Sequence, residues 1–290
     1  MWLARERESR RQVLVRLARS PEAIERAQRA EEVLRRIRER HPDGAPGIVG
    51  MVAGGPTDDG HALVLEHVEG ASLSKVLYWT RFTPPRAVAA VLELCAAVAA
   101  CHRAGVVVED LHPDHIVVGR DDRGRERYWI GSFEQAPAAL TSAPELLRVE
   151  GSTEQTDVYG LGLLLYRLLV GRFPFEGRDD IVTAAQIGAE PPALGQYAPR
   201  LRVPPGLEEV VLRCLAKDPA QRFDTVEDLM RALEPLAMVP QRDWVLATGA
   251  EATLVTEHEE HHHEEEGRPS PLWLLVPLIL LAVVGWLALG

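Results

Sequence analysis

Between residues 20 and 40 the apolar side chains Ile24, Ala27, Ala30, Leu34 and Ile37 recur every three or four positions, up to His41-Pro42. That spacing places them on one face of an α-helix. Ser20-Pro21-Glu22 supplies its start: a capping hydroxyl, a proline at the first helical position and an acid in the first turn. Upstream, W-L-A-R-E-R-E-S-R-R-Q-V-L-V-R-L (Trp2 to Leu17) reads as two short β-type runs around a polar turn. His61-Ala-Leu-Val-Leu-Glu-His-Val-Glu-Gly70 predicts a buried strand followed by a turn. Thr83-Pro84 opens another amphipathic helix with the stripe Val88, Val91, Leu92, Cys95, Val98 and His102, and Gly105 is its natural terminator. Thr156 to Val170 is apolar nearly all round, so it predicts a helix buried through the domain centre. Leu207 to Leu215 and Val226 to Leu233 close the periodic part of the chain.

Residues 238 to 270 show no sustained periodicity and read as a linker. Leu272 to Leu289 is then an uncharged apolar run with Trp273 and Trp286 near its ends, long enough to cross roughly 30 Å of hydrocarbon. Pro277 would kink such a helix, which a membrane span tolerates. A buried core helix could have the same composition, but the polar linker in front of the run favours the span. Arg268 precedes it and no charge follows, so the positive-inside rule places the main domain in the cytoplasm and makes the run a tail anchor in the cell membrane. Met1-Trp-Leu-Ala is followed at once by charges, unlike a signal peptide.

Composition narrows the function. In 290 residues, 46% are hydrophobic and 26% charged, values of a globular chain with one large domain or two small ones. Much of the net charge of −11 sits in the run Glu257 to Glu266, whereas the first forty residues are rich in Arg interleaved with Glu, as on a solvated helix face. Nucleic acid is therefore not an expected partner. The tract His258 to Glu266 could hold Zn²⁺ or Ni²⁺ weakly, though its composition reads first as a solvated acidic spacer. Cys95, Cys101 and Cys214 lack metal-type spacing and read as buried free thiols of a reducing compartment. Only Lys75 and Lys217 are lysines.

The stretch from His102 to Glu145 carries the chemistry. It opens H-R-A-G-V-V-V-E-D-L-H-P-D-H-I-V-V, passes through W-I-G-S-F-E-Q and closes on A-P-E. Residue by residue it resembles the catalytic core of bacterial Ser/Thr protein kinases, and the resemblance covers about residues 1 to 237. It implies an α+β, bilobal protein-kinase-like fold: a truncated β-rich N-lobe (1–70), a helical C-lobe (71–237), the acidic, His-rich linker (238–270) and the transmembrane anchor (271–290). The family's V-A-I-K strand is Val13-Leu-Val-Arg16 here, so Arg16 takes the place of the phosphate-pairing lysine, with the same charge but a different geometry. The glycine-rich loop would lie upstream of Met1. The ion-pairing glutamate of the family's αC helix falls on Ala30 by the apolar stripe, or on Glu32 counted back from His41-Pro42. Leu65 would be the gatekeeper, and Glu66, His67 and Val68 the hinge that meets adenine.

Against the family's H-R-D-x-K-P-x-N, the chain has Val108-Glu-Asp110-Leu-His112-Pro-Asp114-His115. Asp110 keeps the base position, or is a retained structural acid bonding loop backbone. His112 replaces the partner lysine, His115 the second-metal asparagine, and Glu109 the arginine that pairs with a phosphorylated activation loop, a charge reversal. His112 and His115 could ligate metal, but in a polar loop they read first as solvated. D-F-G becomes Ser132-Phe133-Glu134, and a hydroxyl does not replace a carboxylate against a hard dication. Glu134 offers a carboxylate two positions on. The degenerate Mg positions are thus His115, Ser132 and Glu134, on an activation segment that looks abbreviated. Residues that build the fold persist: Asp157, the Glu145–Arg222 pair, Val108 and Phe133. The expectation is a membrane-tethered pseudokinase that scaffolds or regulates protein partners in kinase signalling, needing no cofactor. An active but degenerate kinase would use ATP and Mg²⁺ with Arg16, Asp110 and Glu134. A nucleotide or metabolite sensor would bind in the interlobe cleft.

Overall fold

A computed structural model describes residues 2–7, 9–133 and 138–248, all within one compact unit. The first lobe is built from β1 (Trp2–Arg5), β2 (Gln12–Ala18), α1 (Pro21–Arg40), β3 (Met51–Thr57) and β4 (Gly60–Glu66). Its antiparallel sheet has the order β1-β2-β4-β3, with Arg16 opposite Leu63. Along β4 burial alternates: His61, Leu63 and Leu65 face inward while their neighbours are half-exposed, the period-2 pattern of a strand with one covered face. The cover is α1. Ser20 caps it by accepting from the Ala23 amide, and its predicted stripe Ala27, Ala30, Leu34 and Ile37 is buried against the sheet.

The second lobe runs through β5 (Gly70–Ser72), α2 (Leu73–Trp79), α3 (Pro84–Arg103), β6 (Ile116–Arg120), β7 (Glu126–Ile130), α4 (Pro144–Leu147), α5 (Glu154–Val170), α6 (Asp179–Gly188), α7 (Leu194–Tyr197), β8 (Arg202–Val203), α8 (Leu207–Cys214), α9 (Val226–Ala237) and β9 (Val245–Leu246). Strands β5-β6-β7 form a small antiparallel sheet beside the helices. The lobe is organised on α3 and α5, which pack together, with α9 against both. Thirteen residues of α5 are buried, including Tyr159 and Tyr166. Among the described residues α3 is the one helix long and apolar enough to cross a membrane, but most of its apolar stretch is buried and serves as core. All three cysteines are buried and free, as their positions predicted.

The lobes meet where α1 ends and α3 ends. Arg36 Nη2 donates to the carbonyls of Ala104 and Gly105 at 3.2 and 2.7 Å, and His41 Nε2 lies 3.1 Å from Ala100 O. A guanidinium at the C-terminal carbonyls of a helix satisfies orphan acceptors at the negative end of its dipole. Gly105 makes the turn possible with φ 67°.

Residues 238–248, read from the sequence as the start of the linker, take part in the lobe's packing. β9 pairs with β8, Trp244 is buried and donates from Nε1 to Val239 O, and Ala247 is buried. Leu272 to Leu289 and the acidic tract lie outside the described residues.

Candidate functional site

The loop between α3 and β6 is suspended from one buried side chain. Asp157, in the first turn of α5 and 1% exposed, accepts the Val108 amide on Oδ2 at 2.8 Å and the Glu109 amide on Oδ1 at 2.7 Å. His102 Nε2 also lies 2.7 Å from Oδ2. These bonds hold Glu109 in the left-handed region, at φ 64°, which a side chain with a Cβ adopts only when its surroundings impose it. The Glu109 carboxylate accepts from the Ser152 hydroxyl.

The turn delivers Asp110, whose side chain is 11% exposed. Its carboxylate does not bond loop backbone. His115 Nδ1 lies 3.1 Å from Oδ2, and Thr141 Oγ1 donates to Oδ1 at a long 3.4 Å. The hydrogen bond to Asp110 raises the pKa of His115; burial and the positive charge of Arg16 work against this. His115 is therefore not a solvated loop histidine: the 3₁₀ turn Pro113–His115 carries it back onto the base position five residues earlier. His112 is half-buried as well and accepts the Asp114 amide on Nδ1 at 3.2 Å. The two imidazole centroids are 5.8 Å apart.

Arg16, from β2, donates from Nη1 to Ser132 Oγ at 3.2 Å, so the phosphate-lysine and first-metal positions touch each other. Phe133 packs into the core, 7% exposed. Glu134 lies outside the described residues. Of the two registers for the helix glutamate, Ala30 is buried with no carboxylate to offer, and Glu32 is taken on the outer face by Arg35. The acid that does tie α1 to the sheet is Glu31, 2.6 Å from Nε2 of the buried His61. Gly54 gives it room: a Cβ there would stand 2.8 Å from the Glu31 carboxyl carbon. No motif marked Glu31; the only signal was a lone histidine in an otherwise apolar strand.

At the hinge, Leu65 is buried, the Glu66 amide donates to Gly50 O at 2.8 Å, and Glu66 Oε1 accepts from Arg11 Nη1 at 3.0 Å. His67 and Val68 are half-buried. A cavity of about 850 Å³ lies behind this hinge, lined by Leu34, Ile37, Val49, Met51, Glu66 and Trp129 among others; Arg16, Asp110, His115 and Ser132 are not part of it.

A divalent cation of the Mg²⁺ type wants oxygen ligands, several of them carboxylate or water. The described residues offer a serine hydroxyl engaged by Arg16, an imidazole engaged by Asp110, and Asp110 itself engaged by His115 and Thr141. Among the described residues no three His, Cys, Asp or Glu side chains gather into a metal-binding group. This donor set does not fit Mg²⁺.

Residues 139–233 match the family described as "Protein kinase domain". The chain is 29% identical over 217 residues to the serine/threonine-protein kinase PrkC of Bacillus subtilis, covering 68% of this chain and 33% of that protein. It is 32% identical over 208 residues to the serine/threonine-protein kinase pkn2 of Myxococcus xanthus, covering 65% and 25%. With the serine/threonine-protein kinase PknL of Mycobacterium tuberculosis the identity is 32% over 188 residues, covering 60% and 47%. The chain thus spans between a quarter and a half of the length of these relatives. The crystal structure of the Mycobacterium tuberculosis PknI kinase domain superposes with a TM-score of 0.64 at 20% identity, covering 81% of this chain and 89% of that one, a likeness of fold.

Proposed function

We propose that this chain, which carries a protein kinase domain of the bacterial Ser/Thr type, works as a membrane-tethered pseudokinase: a scaffold or regulator that holds a kinase, a kinase substrate or a phosphopeptide-binding partner. The observation that carries this reading is the engagement of Asp110. Phosphoryl transfer asks of the protein a base to orient the hydroxyl and ligands for the metal that neutralises the phosphates. Here the base carboxylate is held by His115 at 3.1 Å, and the hydroxyl of Ser132 stands where the metal carboxylate would be.

The active alternative draws on the retained acid and its framework. If Asp110 acted as the base in a degenerate Mg-ATP site, phosphate transfer would depend on its carboxylate. Incubating the protein with labelled ATP, Mg²⁺ or Mn²⁺ and protein substrates separates the two readings. The expected result is no incorporation above that of Asp110→Asn. Incorporation that Asp110→Asn abolishes would establish the kinase and end the pseudokinase reading.

The tether rests on the composition of Leu272 to Leu289. Expressed in a bacterium, the chain is expected in the membrane fraction, resistant to carbonate and released by detergent. A version ending at residue 270 is expected in the soluble fraction. Retention of that shorter chain on membranes would move the anchor elsewhere.

A further inference from the structure

Two large aromatic side chains at the end of α2 face water. Tyr78 is 78% exposed and Trp79 77%, and the two rings meet edge to face with centroids 4.7 Å apart. Lys75 stands one turn earlier on the same helix face, exposed. Arg81 follows two residues later, also exposed, and lies against Gly171 at the end of α5. Among the described residues neither cation forms an ion pair. From Gly70 to Leu92 the chain has no Asp or Glu, although it holds 43 of them in 290 residues. The third cation of that run, Arg86, is spent on Glu126 at 2.7 Å, which leaves Lys75 and Arg81 beside the rings. The turn packed against α2 carries Asp114, and its carboxylate lies 3.4 Å from His112 Nδ1.

Trp and Tyr beside Lys and Arg are the side chains that settle at a bilayer surface: the amphipathic rings sit at headgroup level and the cations meet anionic lipid phosphates. A second copy is a poor occupant, because two-fold packing on this face would set Lys75 and Arg81 of one chain against the same pair of the other. We infer that α2 and the turn after it rest on an anionic bilayer surface through Lys75, Tyr78, Trp79 and Arg81. The inference rests on the tether proposed above. Residues 249 to 271 separate Thr248 from the apolar run, and a polar chain of that length has an average span of roughly 25–30 Å. Docking is then an intramolecular step, so a patch too small to hold a free protein on a membrane suffices.

Hydrogen exchange of the full chain reconstituted in vesicles tests the inference, comparing pure phosphatidylcholine with an equal mixture of phosphatidylcholine and phosphatidylglycerol. Exchange in the segment 76–83 is expected to slow several-fold on the anionic vesicles alone, and to recover in high salt. Lys75→Ala/Arg81→Ala should weaken docking about 20- to 30-fold, at about fivefold for each cation near an anionic surface, and abolish the slowing. Tyr78→Ser/Trp79→Ser should abolish it too. All four side chains are exposed, so an unchanged thermal midpoint is expected and confirms that the variants are folded. Equal exchange on the two kinds of vesicle, or slowing that survives in both double variants, overturns the inference. Protection that appears in detergent and grows with protein concentration makes the patch a contact between copies and overturns it as well. The tether reading fails separately, on extraction of the full chain by carbonate. In that event co-sedimentation of the same chain with the same vesicles decides: salt-sensitive binding to the anionic ones alone upholds the inference, and no binding overturns it.

Discussion

Arg222→Leu is expected to lower the free energy of unfolding by about 3–5 kcal/mol, the range for breaking a buried ion pair from one side. Arg222 is 1% exposed and Glu145 5%. Its Nη1 and Nη2 donate to Glu145 Oε1 and Oε2 at 2.7 and 2.8 Å, a bidentate fork. The rest of the guanidinium is spent on the carbonyls of Gln155, Ala216 and Lys217, and its Cζ lies 4.7 Å from the Tyr159 ring centroid. Leucine fills part of the volume but takes the guanidinium away from three carbonyls and leaves the buried carboxylate with the Thr156 hydroxyl and no opposite charge. Urea titration followed by circular dichroism should show an earlier midpoint with an unchanged slope. The Glu145→Leu/Arg222→Leu double variant should recover much of the loss, because the main penalty is the stranded charge rather than the absence of the pair.

The same pair sets an acid limit. Burial pushes the pKa of Glu145 up, but the hydrogen bond from Arg222, the backbone bond, the Arg222 charge and the Thr156 hydroxyl outweigh it and leave the group below the ordinary 4.5. A carboxyl depressed in the folded state stabilises above its unfolded pKa, and that stability is lost as pH falls through the folded value. Stripped of Arg222, Glu145 is penalised when ionised and relieved when protonated. The gap between wild type and Arg222→Leu should therefore narrow as pH drops below about 5. A gap that widens on acidification would mean that Glu145 is not the group stranded by the substitution.

The α1 stripe was legible because period and cap agree: Ala27, Ala30, Leu34 and Ile37 are all buried, and Ser20 caps the helix where the sequence placed the cap. Resemblance to the family marked Asp157, Glu145 and Arg222, and all three hold the framework. β3 was not legible. Met-Val-Ala-Gly-Gly-Pro-Thr carries two glycines and a proline, poor strand formers, and it pairs because β4 supplies a partner at the sheet's edge, with an irregularity between Met51 and Ala53. Helix α2 is too short to show a period and depends on its Ser72 cap. Trp244 lies in a stretch without periodicity, and neither its burial nor its indole bond to Val239 O has a sequence pattern that marks it.

The site shows the same division. Which residue occupies each position was readable; what that residue does there was not. Asp110 looked like an acid bonding loop backbone and His115 like a solvated ring, yet they pair, because a 3₁₀ turn doubles the chain back over five residues. The anchor of α1 moved by one residue from the position of the family glutamate, from Ala30 to Glu31, which turns the carboxylate from the cleft towards His61. One residue on a helix is about 100° of rotation, enough to change the partner without disturbing the buried stripe.

Asp157→Asn should separate the site from the scaffold that carries it. Asp157 accepts two amides and an imidazole with two oxygens. An asparagine keeps one oxygen and turns an NH₂ group towards donors, so at least one amide or the His102 nitrogen is left facing a hydrogen. A buried donor without an acceptor costs about 1–3 kcal/mol, so the expected destabilisation is about 1–3 kcal/mol for one such loss and about 2–6 kcal/mol for two. The damage should be local first. The amides of Val108 and Glu109 should lose protection in native-state hydrogen exchange, and Glu109 should leave its left-handed conformation once nothing holds it at φ 64°. Asp110 and His115 follow, because their approach depends on where that turn sets them down. Asp114→Asn, at a side chain 60% exposed, should change stability by no more than about 0.5 kcal/mol. If Val108 and Glu109 stay protected in Asp157→Asn, the loop is held by something other than the buried aspartate, and the placement of Asp110 needs another cause.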